Sequence, residues 1–280
     1  MRVEQLCVYP IKSTAPHDLE SARVEPWGLA GDRRWMVVEA DGTQVTARRE
    51  PTLLHVRTEV LGPGRVRVSG EHAAPLEVEA RPAQPLASVT VWSSVVEAST
   101  SPPTADAWFS DLLGRAVRLV WLDDPTRRPV NPAQSESGDR VSFADGYPLL
   151  LTTRESLRQV NDWITELALD RGEQAPDAIP MTRFRPNVVI AGDVAFGEDA
   201  WKRVRIGPVE FRVSEPCARC VMTTIDPITL ARGREPLRTL AKHRRRGNKL
   251  LFGANLIPDG VDPGDPSASI ALGDDVTVVD

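Results

Sequence analysis

Glu215-Pro-Cys-Ala-Arg-Cys-Val-Met-Thr-Thr-Ile-Asp-Pro227 puts two of the chain's three cysteines three positions apart, with Arg219 between them and a polar turn behind them. Buried thiols usually pack as small, inert hydrophobes. A thiol beside a fixed cation is different, because the charge favours the thiolate, the form that attacks and binds metals. A structural zinc site needs four ligands, and the remaining candidates, Cys7 and four scattered histidines, show no such spacing. A thioredoxin-like pair should follow a strand and open a helix. Here Val209-Glu-Phe-Arg-Val213 reads as a strand and Val221-Met-Thr-Thr-Ile225 as a second β-branched one, which sets the pair between strands. What remains is a soft ligand for a metal, or a packed pair.

Working outward, Arg183-Phe-Arg-Pro-Asn-Val-Val-Ile190 lies before this stretch and Leu251-Phe-Gly-Ala-Asn255 after it. At the amino terminus come Tyr9-Pro-Ile-Lys-Ser13, Gly31-Asp-Arg-Arg-Trp35 and Thr46-Ala-Arg-Arg-Glu-Pro51. Together, in this order, these runs resemble the MOSC family, the C-terminal domain of molybdenum-cofactor sulfurases. The amino-terminal runs resemble the β-barrel region that precedes that domain in the mitochondrial amidoxime-reducing component and its bacterial relatives. The resemblance implies a mainly β, α+β fold: a MOSC-type β-barrel plus an N-terminal β-rich domain with a few helices. It also implies a molybdenum–molybdopterin cofactor, without pyridoxal phosphate, whose metal is ligated by Cys220. A soft thiolate suits that sulfur-rich centre.

A pterin cofactor carries a phosphate, which calls for cationic and hydrogen-bonding groups, arginine forks above all. The resemblance implies such contacts at Lys12 and Ser13, at Arg33 (with Arg34 if the register slips), at Thr152 and Thr153, at Arg185 and Asn187, and at Arg219. Each has a plainer reading. Arg33 can pair with Asp32, and Thr153 can cap the helix that follows it. Arg185 and Asn187, two apart on a strand-like run, would share a sheet face. Asp226 is a candidate proton relay, although its place before Pro227 suits a turn. Two departures stand out: Ala218 replaces a serine, and Phe252-Gly-Ala-Asn255 replaces a Phe-Gly-Gln-Tyr-like run, which makes Asn255 a candidate amide at the substrate mouth. Cys7, in an opening strand, reads as core, and Cys217 as packed or supporting.

The rest of the chain sets limits. Three cysteines make no disulfide framework, no apolar run reaches membrane-spanning length, and a net charge of −5 argues against general nucleic-acid binding. A cytoplasmic enzyme is expected, with no nucleic-acid and no membrane partner. Short strands with Gly and Pro turns fill the first part. A helix over Ala105–Leu113 is stopped by Gly114, and a second runs from Arg154 to Leu167. Further strands are expected at 187–191, 203–206, 209–213, 222–225 and 275–279. The Pro-, Asp- and Ser-rich run from Leu122 to Asp139 suggests a boundary, giving residues 1–124 as the N-terminal region and 125–280 as the MOSC domain. Residues 1–34 are left open between the two, because Lys12 and Arg33 must reach the pocket of Cys220.

The function expected is a molybdenum-cofactor-dependent oxidoreductase that reduces N-hydroxylated or otherwise N-oxygenated small molecules. No iron–sulfur cysteine spacing is present, so reduction requires a separate electron-donor protein of ferredoxin or haem type. The basic run Lys242-His-Arg-Arg-Arg-Gly-Asn-Lys249 is either a solvated loop or a docking patch for such a carrier. Alternatives are a sulfur- or molybdenum-cofactor carrier using a cysteine persulfide, and a β-rich anion-binding module.

Overall fold

The structure is a computed structural model that describes residues 1–71, 73–80 and 84–280. It is mainly β, with three α-helices among the described residues. The chain divides into two compact units, and both are discontinuous in sequence. One comprises Met1–Cys7, Leu19–Glu25 and Leu149–Asp280, and the other Val8–Asp18 and Pro26–Pro148. The Leu122–Asp139 run falls inside the second.

In the first unit a mixed sheet runs in the order Val276–Val278, Arg203–Ile206, Val209–Ala218, Lys249–Asp259, Leu149–Thr153, Val188–Ala191 and Arg2–Val8. Its two edges meet. Arg2 bridges to Asp275, Val276 N donates to Met1 O at 2.9 Å and Val3 N donates to Asp274 O at 3.0 Å, so backbone groups that an open edge would expose are satisfied. Leu149–Thr153 and Val188–Ala191 pair in parallel, which requires a crossover. The helix Arg154–Leu169 supplies it, laying Val160, Ile164 and Ala168 inward at helical spacing. Val160 and Ile164 join Ile179, Met181, Phe184, Val189, Leu240 and Phe252 in one core.

The sequence-based expectation misses the two most central strands. Leu149–Thr153 is buried at every position and Lys249–Asp259 at eight consecutive ones, and a strand covered on both faces shows no alternation to read. The close fit has a marker in Gly253. Its φ is +78°, and a Cβ there would lie 2.8 Å from both Leu151 O and Thr152 Cγ2, so only glycine lets the two strands approach this closely.

The strand expected over 222–225 is instead a 3₁₀ turn, Val221–Thr224. The β-branched composition is genuine, but the threonines satisfy the backbone locally. Thr223 Oγ1 donates to Cys220 O at 3.0 Å and Thr224 Oγ1 to Val221 O at 2.8 Å. The basic run at 242–249 is likewise more than a loop. It forms the end of the helix Leu237–His243 and then a hairpin in which Arg245–Arg246 pairs with the start of Lys249–Asp259.

The second unit holds a four-stranded sheet in the order Trp35–Val38, Arg118–Trp121, Ser94–Thr100 and Leu86–Val91. A three-stranded meander, Arg57–Gly62, Arg65–Ser69 and Leu76–Glu79, accompanies it, as does the helix Pro103–Leu113. The helix ends where the sequence suggests, with Gly114 left-handed at φ 66°. The core is built from Met36, Val38, Val89, Val91, Val96, Ala98, Val120, Leu122 and Phe143.

Candidate functional site

In the first unit, the Val209–Ala218 strand carries Cys217 to its end, and Cys220 opens the 3₁₀ turn that follows. The two thiols differ. Arg219 Nη1 donates to Cys217 Sγ at 2.8 Å, whereas among the described residues no hydrogen bond engages the partly exposed Cys220 sulfur. Arg219 is fixed from behind, with Nη2 donating to Phe184 O at 2.6 Å and its guanidinium 5.7 Å from the Phe184 ring centroid. Phe184 is buried and stacks on Phe252 at 3.8 Å. Arg219 is thus anchored to the core while its Nε stays buried without a partner among the described residues.

Arg183 is a second cation held in place, and the sequence reading did not single it out. Its Nη2 donates to Asp226 Oδ2 at 2.8 Å, and its Nε is another buried atom without a partner among the described residues. Asp226 Oδ1 meanwhile accepts from Ile228 N at 3.0 Å and Thr229 N at 2.8 Å. The N–H of Thr229 above all, with that of Ile228 and the Arg183 guanidinium, holds the Asp226 carboxyl below its ordinary range. It is an ionised turn-former.

Arg185 and Asn187 do not share a strand face as expected. Arg185 is left-handed, φ 56° and ψ 47°, capping the short helix Met181–Phe184, and the strand starts only at Val188. Asn187 is buried and works as a splice between strands. Its Oδ1 accepts from Leu150 N at 3.2 Å and its Nδ2 donates to Cys7 O at 3.2 Å. Cys7 is buried core and donates to Pro186 O at 2.8 Å. Thr152 is buried, and its hydroxyl meets Met181 Sδ at 3.3 Å. Thr153 caps the helix it precedes, accepting from Ser156 N at 3.1 Å. Asn255 is buried in the Lys249–Asp259 strand, opposite Leu150 and Glu215.

In the second unit Lys12, Ser13 and Arg33 are set by local backbone geometry. Ser13 and Arg33 both have positive φ, 74° and 48°. Non-glycine residues enter that region at a cost of about 1–3 kcal/mol and do so disproportionately at functional sites. Three of the six such residues among those described, Ser13, Arg33 and Arg185, are positions named from the sequence. Arg33 Nη1 does pair with Asp32 Oδ2 at 2.5 Å, and Asp32 Oδ1 accepts from Tyr9 N at 2.7 Å. The Arg33 guanidinium also lies 4.4 Å from the Tyr9 ring centroid. The neighbour Arg34 turns elsewhere, onto Leu122 O.

Lys12 is 5% exposed and donates to Phe143 O at 2.8 Å and to Asp145 Oδ1. Burial lowers its pKa to about 8, with Asp145 opposing the shift. Asp145 also accepts from Arg48 and from Trp92 Nε1, at 3.2 and 3.1 Å, and Arg48 lies 4.1 Å from the Trp92 ring centroid. Arg128, buried, holds the loop from behind by donating to Ser142 O, Ala144 O and Asp145 O. Arg48, Trp92, Arg128 and Asp145 were not found from sequence. Trp92 had one signal, an aromatic residue at a turn between β-branched runs.

The fold and these two residue sets define a β-rich protein with an uncommitted thiol in one unit and a cationic cluster in the other. The chain belongs to the MOSC family: the model of the MOSC N-terminal beta barrel domain matches residues 1–116 and that of the MOSC domain residues 138–277. It is similar to the mitochondrial amidoxime-reducing component 1 of Mus musculus, 32% identical over 254 residues that span 86% of this chain and 71% of that protein. Its counterpart in Homo sapiens is 29% identical over 287 residues, 94% of this chain and 81% of that one. The molybdenum cofactor sulfurase of Oryza sativa subsp. japonica is 28% identical over 269 residues, 90% of this chain but only 32% of the sulfurase.

Proposed function

We propose that this chain is a molybdenum-cofactor-dependent oxidoreductase that reduces N-hydroxylated small molecules. One observation carries the reading: of the two thiols flanking Arg219, Cys217 is engaged by the arginine while the partly exposed Cys220 sulfur is uncommitted. The names of the relatives, amidoxime-reducing component and molybdenum cofactor sulfurase, support the cofactor class. The donor set also fits the group. A single soft thiolate suits a metal whose other sulfur ligands come from a pterin dithiolene, and the buried, unpartnered Nε atoms of Arg183 and Arg219 leave donors for an anion.

In this reading Cys220 ligates the metal. In the other unit Lys12, Ser13 and Arg33 are the candidate anion contacts, and in the unit of Cys220 the cofactor contacts are Arg219, Arg185, Asn187, Thr152, Thr153 and Asn255. Arg183 joins them as a cation aimed by Asp226, which acts by position. When bound, a molybdenum pterin supplies two-electron oxygen-transfer chemistry. The overall reaction balances as an N–OH group plus two electrons and two protons giving N–H and water, with the N–O bond broken. The electrons come from a separate one-electron carrier protein. Three free thiols accord with a reducing, cytoplasmic compartment, and no helix among the described residues is long and apolar enough to cross a membrane.

The test is turnover of an N-hydroxylated amidine by the molybdenum-loaded protein, with reduced methyl viologen as electron source. Stoichiometric amidine formation supports the reading. No turnover, together with labile sulfane sulfur on Cys220, replaces it with the cofactor- or sulfur-carrier alternative.

A further inference from the structure

The basic run at 242–249 folds onto the loop that carries Cys220. Arg219 N donates to Leu250 O at 2.7 Å, Ala218 stands opposite Leu251, and Leu251 N donates to Arg244 O at 2.9 Å. Arg245 and Arg246 stand opposite Leu250 and Lys249 in the hairpin. Adjacent strands lie roughly 5 Å apart, so the exposed hairpin is the next strand but one from the Cys220 loop. The 3₁₀ turn after Cys220 also packs against the helix Leu237–His243, whose last turn supplies Lys242.

Lys242, Arg245 and Arg246 are exposed, and among the described residues none of them pairs with a carboxylate. The flanking cations are spoken for, Lys249 by Glu215 at 2.8 Å and Arg244 by Asp199 at 2.5 Å. The chain as a whole carries −5, so three uncompensated cations make a local field opposite in sign to the protein. The Cys220 loop, whose 3₁₀ turn packs against the helix Leu237–His243, exposes apolar side chains, Val221 at 50% and Ile228 at 80%. Isolated exposed apolar residues are ordinary, but an apolar spot next to an uncompensated basic rim has the layout of a small, charge-steered protein interface.

We propose that the face formed by Val221, Ile228, Lys242, Arg245 and Arg246 is the docking surface for an acidic one-electron carrier protein. The inference rests on the oxidoreductase reading above and names its partner's chemistry and place of contact. A carrier docked here sits over the loop of the ligating cysteine. Each encounter oxidises the carrier by one electron, and two encounters supply the two electrons that, with two protons from water, convert N–OH to N–H and water. Such encounters are small and short-lived, with less than about 1,200 Å² buried, and depend on ionic strength.

The test measures binding of an acidic [2Fe–2S] ferredoxin to the molybdenum-loaded protein across a salt series, for the native chain and the triple variant Lys242→Glu, Arg245→Glu, Arg246→Glu. Arg205→Glu serves as a charge control. It lies opposite Glu210, eight residues before Ala218, roughly 26 Å along that strand. Binding by the native chain that weakens with salt, falls at least about tenfold in the triple variant and stays within about twofold in the control supports the proposal. Equal binding by the triple variant overturns the face, and absence of native binding overturns the acidic-carrier assignment. Viologen-driven turnover, recorded on the same samples, bypasses docking. It stays unchanged in the triple variant, and its absence from the native protein counts against the oxidoreductase reading alone.

Discussion

Glu198 offers the sharpest test of the energetics. Its side chain is fully buried, and Ser156 Oγ donates to it, to Oε1 at 2.8 Å and Oε2 at 3.1 Å. Ser156 in turn accepts from Thr153 Oγ1 at 2.7 Å and Phe196 N at 2.7 Å. Of the neighbouring charges, Asp199 pushes the pKa up and Arg244, itself bound to Asp199, pulls it down. Burial dominates and raises the carboxyl from 4.5 to about 7. The folded state therefore holds the proton more tightly than the unfolded chain between those values. The contribution of Glu198 to stability is full below 4.5 and declines as pH rises to about 7, beyond which its loss is complete, at roughly 3.4 kcal/mol.

Glu198→Gln keeps the shape and an acceptor for Ser156 but cannot ionise. Integrating the linkage from about pH 5 to about pH 8, the variant gains about 2.5 kcal/mol on the native protein, or about 1 M in urea midpoint at an m-value of about 2.5 kcal/mol/M. The assay is urea unfolding of both proteins at the two pH values. A gap in midpoint that does not widen with pH refutes the claim that Glu198 is a buried carboxyl titrating near neutrality.

Other expectations follow from the same packing. Gly253→Ala should destabilise by about 2 kcal/mol or more, since a Cβ at that positive φ meets Leu151 O and Thr152 Cγ2; the check is the thermal midpoint. Phe184→Leu should loosen the Phe252 stack and the perch of Arg219, costing about 1–2 kcal/mol in urea unfolding and lowering molybdenum retention during dialysis. Inorganic pyrophosphate binding to the cofactor-free protein, followed by calorimetry, should weaken as pH rises through about 8, where Lys12 loses its charge, and Lys12→Met should flatten that dependence.

Much of the fold was legible because its signals are local. The apolar positions of Arg154–Leu169 recur at helical spacing, and the glycine after Leu113 ends its helix in the left-handed conformation that glycine favours. The strands at 188–191, 203–206 and 276–278 lie within a residue or two of the sequence reading. The strands Leu149–Thr153 and Lys249–Asp259 were not legible, because central strands alternate nothing. The turn after Cys220 misled because threonine satisfies a tight turn and a strand with the same side chain.

The candidate site divides along the same line. Residue type and motif order singled out Lys12, Ser13, Arg33, Arg185, Arg219 and Cys220. Nothing local announced Arg128, Asp145 or Arg183, whose partners lie at least 14 positions away in the chain. The unequal states of the two thiols were also hidden, since which sulfur Arg219 reaches is decided by its anchorage on Phe184, 35 positions upstream.

The most direct test of the central claim is the molybdenum content of the native protein and of Cys220→Ala, both purified from a host that makes the molybdenum pterin. The account predicts near-equimolar metal in the native chain, with little or none in the variant at unchanged thermal stability. Equal molybdenum in both, or none in either, contradicts Cys220 as the ligand.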